Sequence, residues 1–256
     1  MLLIYSSPKR LRIRINKGIF KTKVIAMKLS KKKLISILKQ DIESLGFTYF
    51  RDSSPHDQGT FYMKVEGDMF LALSLVIHRF YDSMFTASYY LSPTTYVGAI
   101  WGDIPKDSYQ RPGYILTENE FVPFSKDGNL IARDIWFDGF IESDVNDFIQ
   151  IVKLTYKRFA SNLDLRERIE QSKDVKVLVN LSQKTLESAI RREFDEVLEY
   201  QPEKEIDGVP LDWFRASETV LRKECYILNK NTVRQFAFGA YRQFCLNKIK
   251  DKPYPL

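Results

Sequence analysis

Cysteine is scarce in this sequence, and so are histidine and long apolar runs. Only two of the 256 residues are cysteines, too few for the disulfide framework of a secreted domain, so we expect Cys225 and Cys245 to be reduced. The longest predominantly apolar stretch, residues 69–77, is too short to cross a bilayer as a helix. The chain does not open with a recognisable secretory signal. These absences predict a cytoplasmic protein without membrane contact.

The common catalytic and cofactor-binding motifs are also missing. His56 and His78 are far apart in the sequence, so no zinc site can be recognised. The sequence contains no glycine-rich phosphate loop, no dinucleotide fingerprint and no nucleophile elbow. One acid-x-Lys triplet, residues 174–176, is interpreted as a solvated turn. The sequence therefore predicts no catalytic residue, no metal and no cofactor.

Acidic residues are absent from the first 40 positions, which hold twelve Lys or Arg residues. Residues 41–256 carry 27 basic and 33 acidic side chains, so this part of the chain has a formal net charge of −6 although the whole chain has +6. A uniformly basic nucleic-acid-binding protein is therefore not indicated. Contact with nucleic acid is expected, if anywhere, only through residues 1–33.

Residues 1–26 allow three interpretations. Met27 stands just before the first convincing helix start, so the segment can be an upstream extension from a misassigned start. It can also be a flexible basic arm that contacts an anionic partner. In the third interpretation it is a first strand, because Leu11, Ile13 and Ile15 alternate with arginines. Since the segment shows no helical period, we predict that it is dispensable for folding.

Apolar periodicity predicts a helix followed by an antiparallel sheet. Ser30 is a suitable N-cap for a helix that ends at Gly46. Period-two patterns then predict strands at about residues 47–51, 61–66, 69–81 and 84–91. The turns between the last three are short and therefore require antiparallel pairing. The strand from Met69 is apolar on both faces, which predicts a central position in the sheet with cover on both sides.

The second half of the chain is predicted to be mainly helical. A helix is expected to begin at an N-cap Ser143 and to run to about residue 159. Further helices are expected from Ser182, from Pro210 and from Val233. Weaker patterns suggest short strands near residues 114–116 and 130–135.

These elements predict the fold class α+β. An antiparallel sheet flanked by helices is expected in residues 27–160, followed by a helical C-terminal lobe in residues 161–256.

The most distinctive stretch lies between residues 111 and 147, where two aromatic residues stand between aspartates. Aromatic side chains beside carboxylates suit recognition of a basic protein surface. The candidate partner-binding residues are Asp134, Trp136, Phe137, Asp138 and Glu142. The alternative is that the aromatic residues pack the sheet edge against the following helix while the acids face water.

The order of these features resembles a family of uncharacterised bacterial domains, some of which are found near polymorphic toxin and immunity genes. The resemblance covers residues 28–160. It depends on the helix exit Leu45-Gly46-Phe47, the aromatic hairpin at Phe61-Tyr62, the long apolar strand, and Trp136-Phe137 before a helix. It implies a non-enzymatic cytoplasmic protein, of immunity type, that binds a partner. The alternative function is an enzyme that acts on nucleic acid or nucleotides, with a site assembled from scattered residues.

Overall fold

The computed structural model describes residues 28–51, 59–95, 108–124, 133–194, 205–224 and 229–249. The predicted fold class is confirmed: an antiparallel sheet packs with helices, and the C-terminal region is helical. The helices described are α1 Lys31–Ser44, α2 Glu118–Phe121, α3 Glu142–Ala160, α4 Leu163–Gln171, α5 Lys173–Arg191, α6 Leu211–Lys223 and α7 Lys230–Ile249. The N-terminal segment of residues 1–26, together with His56 and Cys225, lies outside the described residues.

Helix α1 begins and ends as the sequence predicts. The Ser30 hydroxyl accepts a hydrogen bond from the backbone N–H of Lys33 at 3.2 Å, which satisfies one of the donors that a helix start leaves open. The buried face consists of Leu34, Ile35, Leu38 and Ile42. Beyond the helix, Gly46 has φ of +95°, a left-handed conformation that glycine adopts at little cost and that ends the helix.

The sheet is antiparallel, with its longest strands in the middle. The strands are β1 Thr48–Tyr49, β2 Thr60–Val65, β3 Met69–Ile77, β4 Met84–Ser92, β5 Tyr109–Gln110 and β6 Phe137–Asp138. In the described part of the chain the order is β1-β2-β3-β4-β5, and β6 also pairs with β4. Strand β5 lies opposite Tyr89 and Tyr90, whereas β6 lies opposite Met84 and Phe85. The predicted central position of β3 is confirmed, although it ends at Ile77.

One face of the sheet, called here the first face, packs against α1 and α3. On β3 it is formed by Leu71, Leu73 and Leu75, which are 0% exposed. The buried apolar residues of α1 and α3 belong to the same cluster as these three leucines. Removal of apolar surface from water contributes roughly 25 cal/mol per Å². The first face is therefore the main hydrophobic core of the described chain.

The start of α3 differs from the prediction. The sequence predicts an N-cap at Ser143, but the helix begins at Glu142, and Ile141 at the cap position makes no side-chain cap. The carboxylate of Asp144 instead reaches back and accepts a hydrogen bond from the backbone N–H of Asp138 at 2.9 Å. A carboxylate in the first turn also complements the helix dipole. A contact with β6 thus replaces the expected hydroxyl cap.

Residues 112–124 pack against α3 as short helical turns. The strand predicted near residues 114–116 is wrong, because Pro112–Tyr114 form a 3-10 turn. Thr117 and Glu120 then make a reciprocal capping box at the start of α2. Arg158 of α3 donates two hydrogen bonds to the Glu120 carboxylate, each at 2.9 Å. The bonds from Arg158, and then from Thr117, lower the pKa of Glu120 to about 2.

The first helices of the predicted helical lobe begin before Ser182, where the sequence analysis places the first one. Asn162 and Ser172 cap α4 and α5, so residues 174–176 lie in the first turn of α5 and are not a separate turn. Ser182, predicted as an N-cap, is instead 2% exposed in the interior of α5, and its hydroxyl lies 3.0 Å from that of Thr94. Local sequence does not distinguish a buried serine with a distant partner from a capping serine.

A small hairpin separates α5 from α6. Strand β7, Glu205–Ile206, pairs with β8, Val209–Pro210, and the turn between them contains Asp207 and Gly208 with φ of +51° and +82°. Helix α6 follows Pro210 directly, as predicted. Helix α7 begins at Lys230, three residues before the predicted start at Val233.

The opposite side of the sheet, called here the second face, is covered by α7. Leu246 of α7 packs with strand residues of this face, namely Tyr62, Phe70, Ala72 and Tyr90. The guanidinium of Arg242 lies 4.8 Å from the centre of the Tyr62 ring and donates to the carbonyl oxygen of Thr95 at 2.9 Å. The Thr95 hydroxyl in turn donates to the carbonyl oxygen of Gly239. The lobe is therefore joined to the sheet by both apolar and polar contacts.

Among the described helices, none combines the length and apolar character needed to span a membrane. The division of the chain at residue 160 stays a prediction.

Candidate functional site

Trp136 lies on the second face, at the edge of the sheet. Alternation along the strand directs Phe137 to the first face and leaves Trp136 on the other side. The Trp136 ring is 4.5 Å from the His78 ring, edge to face, and the Arg111 guanidinium lies 4.9 Å from the Trp136 ring centre. The indole N–H of Trp136 donates to Asp134 at 3.3 Å. The Trp136 side chain is therefore half-buried, and it contacts His78, Arg111 and Asp134.

Phe137 does not belong to a surface site. It is 4% exposed, and its ring lies 5.8 Å from that of Phe85 and 5.4 Å from that of Phe148. For this residue the alternative stated above is correct: it packs the sheet edge against the following helix. An aromatic ring buried in this way cannot act as a contact for a partner.

The candidate acidic residues differ in whether their carboxylates already bind other groups of the described chain. Asp134 forms an ion pair with Arg111. Asp138 accepts hydrogen bonds from the Ser83 hydroxyl at 2.6 Å and from the backbone N–H of Phe140 at 2.9 Å. Only Glu142 is exposed without a hydrogen bond or ion pair to another part of the described chain. The carboxylates at positions 134 and 138 therefore act first as structural groups of this edge.

The turn between β3 and β4 adds aromatic residues that the sequence analysis missed. Phe80 is 79% exposed and Tyr81 is 58% exposed. Their backbone N–H groups donate to Nδ1 of His78 at 3.0 and 3.1 Å, and the Tyr81 ring lies 4.5 Å from the His78 ring. Two large aromatic residues at a hairpin turn are unusual, because turns favour Gly, Asn, Asp, Ser and Pro. That departure is the signal that could have revealed them.

This turn lies beside the turn that precedes α3. The backbone N–H of Gly139 donates to the carbonyl oxygen of Ser83 at 2.9 Å. Phe140 and Ile141, which follow Gly139, are 38% and 48% exposed. We call the five residues of these two turns and the adjoining strand edge the aromatic patch: Phe80, Tyr81, Trp136, Phe140 and Ile141.

A polar cavity of about 640 Å³ opens on the same edge of the sheet, beside β5. We call it the edge pocket. Its polar lining includes Tyr109, Arg111, Tyr114, Asp134, Asn162 and Arg168. Gly113 is required nearby, since a Cβ at this position would collide with the carbonyl oxygen of Arg133. That close approach of two chain segments is what lets Arg111 reach Asp134.

No metal-binding group of three or more His, Cys, Asp or Glu side chains occurs among the residues that the structure describes. The expected absence of a cofactor and of catalytic residues stays a prediction, as does the alternative of an enzyme acting on nucleic acid or nucleotides. Comparison with protein-family models, with characterised proteins and with solved structures finds no match to this chain.

Proposed function

We propose that the protein is non-enzymatic and works by binding a partner protein through the aromatic patch. The observation that carries the proposal is the exposure of Phe80, Tyr81, Phe140 and Ile141 on two adjacent turns. Clustered exposed apolar side chains are typical of protein-protein interaction sites. Trp and Tyr are also the residues that most often dominate binding energy, and Trp136 and Tyr81 supply both.

We infer that the partner is basic. Residues 41–256 carry a formal net charge of −6. At the margin of the aromatic patch, Asp82 and Glu142 are exposed. Arg79 in the same hairpin and Lys28, which precedes the Leu29 N–H bonded to the Asp82 carbonyl, are exposed basic side chains that weaken this negative charge. Complementary charge of this kind mainly increases the association rate, whereas the aromatic contacts supply affinity.

The resemblance of residues 28–160 to domains encoded near toxin and immunity genes supports an immunity-like role, with a cationic toxin as the bound partner. A cytoplasmic location is part of the same proposal. The cytoplasmic location is supported by the free thiol of Cys245, because disulfides are rare in reducing compartments.

The test compares two double variants of the full-length protein. Phe80→Ala with Tyr81→Ala removes the most exposed rings of the aromatic patch. Leu163→Ala with Ile190→Ala removes apolar side chains that are 70% and 54% exposed elsewhere. Partners captured from cells of the source organism are quantified by mass spectrometry, and Kd is then measured with the purified partner. We expect the patch variant to bind at least about tenfold more weakly, the effect of one or more lost hot-spot contacts.

The proposal fails if both double variants, each with a wild-type melting temperature, bind the partner as tightly as the wild type does. A third variant, Glu142→Lys, separates charge from aromatic contact. We expect it to slow association and to reduce the salt dependence of the rate, with little change in dissociation. Faster association of this variant would show that the partner is acidic.

A further inference from the structure

The edge pocket has the size of a small-molecule site, and the proposed function does not require it. Its volume of about 640 Å³ lies within the range of known ligand pockets, roughly 300–1,000 Å³. Phe159 and Leu165 supply an apolar part of the lining, and polar side chains complete it. Known sites are lined mainly by apolar groups with a few placed polar groups, so the more polar lining of the edge pocket suits a charged ligand.

The charges of the edge pocket favour an anion. Its lining contains two guanidinium groups, from Arg111 and Arg168, and one carboxylate, from Asp134. The guanidinium of Arg111 is held in place because it stacks on Trp136 and pairs with Asp134. A planar, positioned guanidinium matches the geometry of phosphate and carboxylate groups. Asn162 places the start of α4 here as well, so the positive end of the helix dipole adds to this potential.

The edge pocket also offers aromatic surface. The Tyr109 ring stacks on Tyr90 with centroids 5.7 Å apart and an interplanar angle of 25°. Tyr109 is nonetheless 52% exposed, and Tyr114 is 48% exposed. A ring that is supported on one side and exposed on the other is suited to stacking with a flat heterocycle.

We propose that the edge pocket binds a small anion that carries an aromatic ring, of the chemical class of a nucleoside monophosphate. Arg111 and Arg168 bind the phosphate, and Tyr109 stacks with the base. This proposal does not rest on the proposed function, because it requires no partner protein, although Arg111 also contacts Trp136 of the aromatic patch.

The experiment is isothermal titration of the full-length protein with AMP, GMP, CMP and UMP. Adenosine and inorganic phosphate, titrated separately, represent the two halves of the ligand. We expect at least one monophosphate to bind, each half to bind at least about tenfold more weakly, and the Kd to rise with salt. Arg168→Gln should raise the Kd about tenfold through loss of charge-assisted hydrogen bonds. Tyr109→Ala should weaken binding of the nucleotide but not of phosphate.

The matched control is Arg191→Gln, which removes an exposed arginine of α5 outside the edge pocket and should leave the Kd unchanged. Thermal melting checks that each variant is folded at the titration temperature, and Arg168→Met, which also removes the charge, replaces Arg168→Gln if the latter does not fold. The proposal is overturned if none of the monophosphates binds at millimolar concentration. It is equally overturned if phosphate alone binds as tightly as the best nucleotide, or if the Arg168 variant binds like the control.

Discussion

The two faces of the central sheet are stabilised in different ways. On the first face, Leu71, Leu73 and Leu75 meet α1 and α3 in a cluster composed almost entirely of apolar side chains. Its buried tyrosines include Tyr89, whose hydroxyl lies 3.0 Å from that of Thr155. On the second face, α7 brings an arginine, Arg242, that is 1% exposed. The first face therefore depends mainly on apolar burial, whereas the second combines apolar contacts with the hydrogen bond of a buried arginine, and a buried polar group that loses its partner is costly.

The largest effect is expected from a charge placed in the first face. Leu73 is 0% exposed and lies between Phe61 and Tyr89 in the sheet register. In Leu73→Asp an unpaired buried charge costs several kcal/mol, comparable to the whole stability of a domain at about 5–15 kcal/mol, so the protein should not fold. Circular dichroism and urea titration measure this. Leu163→Asp, at a site 70% exposed, is the control and should fold normally.

Cooperative unfolding of Leu73→Asp near the wild-type midpoint would contradict the central position of β3.

A moderate effect is expected on the second face. Arg242→Met keeps much of the buried volume but removes the hydrogen bond to the carbonyl oxygen of Thr95 and the cation over Tyr62. We expect the free energy of unfolding to fall by about 2 kcal/mol, measured by urea titration. Arg191→Met, at an exposed position, should have no effect.

If Arg242→Met is as stable as the wild type, the apolar contacts of Leu246 are sufficient to hold α7 on the sheet. That result would contradict the difference between the two faces.

The smallest effect is expected at the solvent margin of the first face, where Glu120 meets Arg158. Because the pKa of Glu120 is lowered to about 2 in the folded protein, the pair adds stability above the ordinary pKa of 4.5 and loses it as the pH falls from there towards 2. Arg158 is 45% exposed, so solvent screening keeps the contribution small. Thermal melting between pH 7 and pH 2 should show a shallower acid-induced decrease for Glu120→Gln than for the wild type.

The neighbouring variant Glu118→Gln is the control and should retain the wild-type slope. An identical slope for Glu120→Gln would mean that the pair is formed equally in the unfolded chain or not at all.

The elements of the first face could be predicted from sequence because the signals that define them come from residues that are close together in the chain. The cap at Ser30, the stop at Gly46 and the period-two strands each depend on neighbouring residues, and all were correct in kind. For the second face, the sequence predicts only that some element must cover it. That α7 supplies it depends on the pairing of Leu246 and Arg242 with strands far away in the sequence, which no local pattern contains.

The candidate site contains residues that the sequence singles out and others that it does not, for the same reason. Trp136 stood out by its acidic surroundings, but the sequence does not reveal that Asp134 pairs with Arg111 or that Phe137 points into the core. Strand alternation could have separated Trp136 from Phe137, because adjacent residues of a strand face opposite sides. The contribution of Phe80 and Tyr81 required knowledge that the β3-β4 hairpin and the turn before α3 are joined by hydrogen bonds.

The cover that α7 gives to the second face also has a consequence for synthesis of the chain. Strands β2, β3 and β4 leave the ribosome long before Leu246, since chains emerge at about 5–20 residues per second and fold from the N-terminal side. During that interval Tyr62, Phe70 and Tyr90 remain without their final neighbours. The nascent protein therefore displays an apolar sheet surface of the kind that chaperones bind, and its yield in the cell should depend on how quickly translation delivers the last helix.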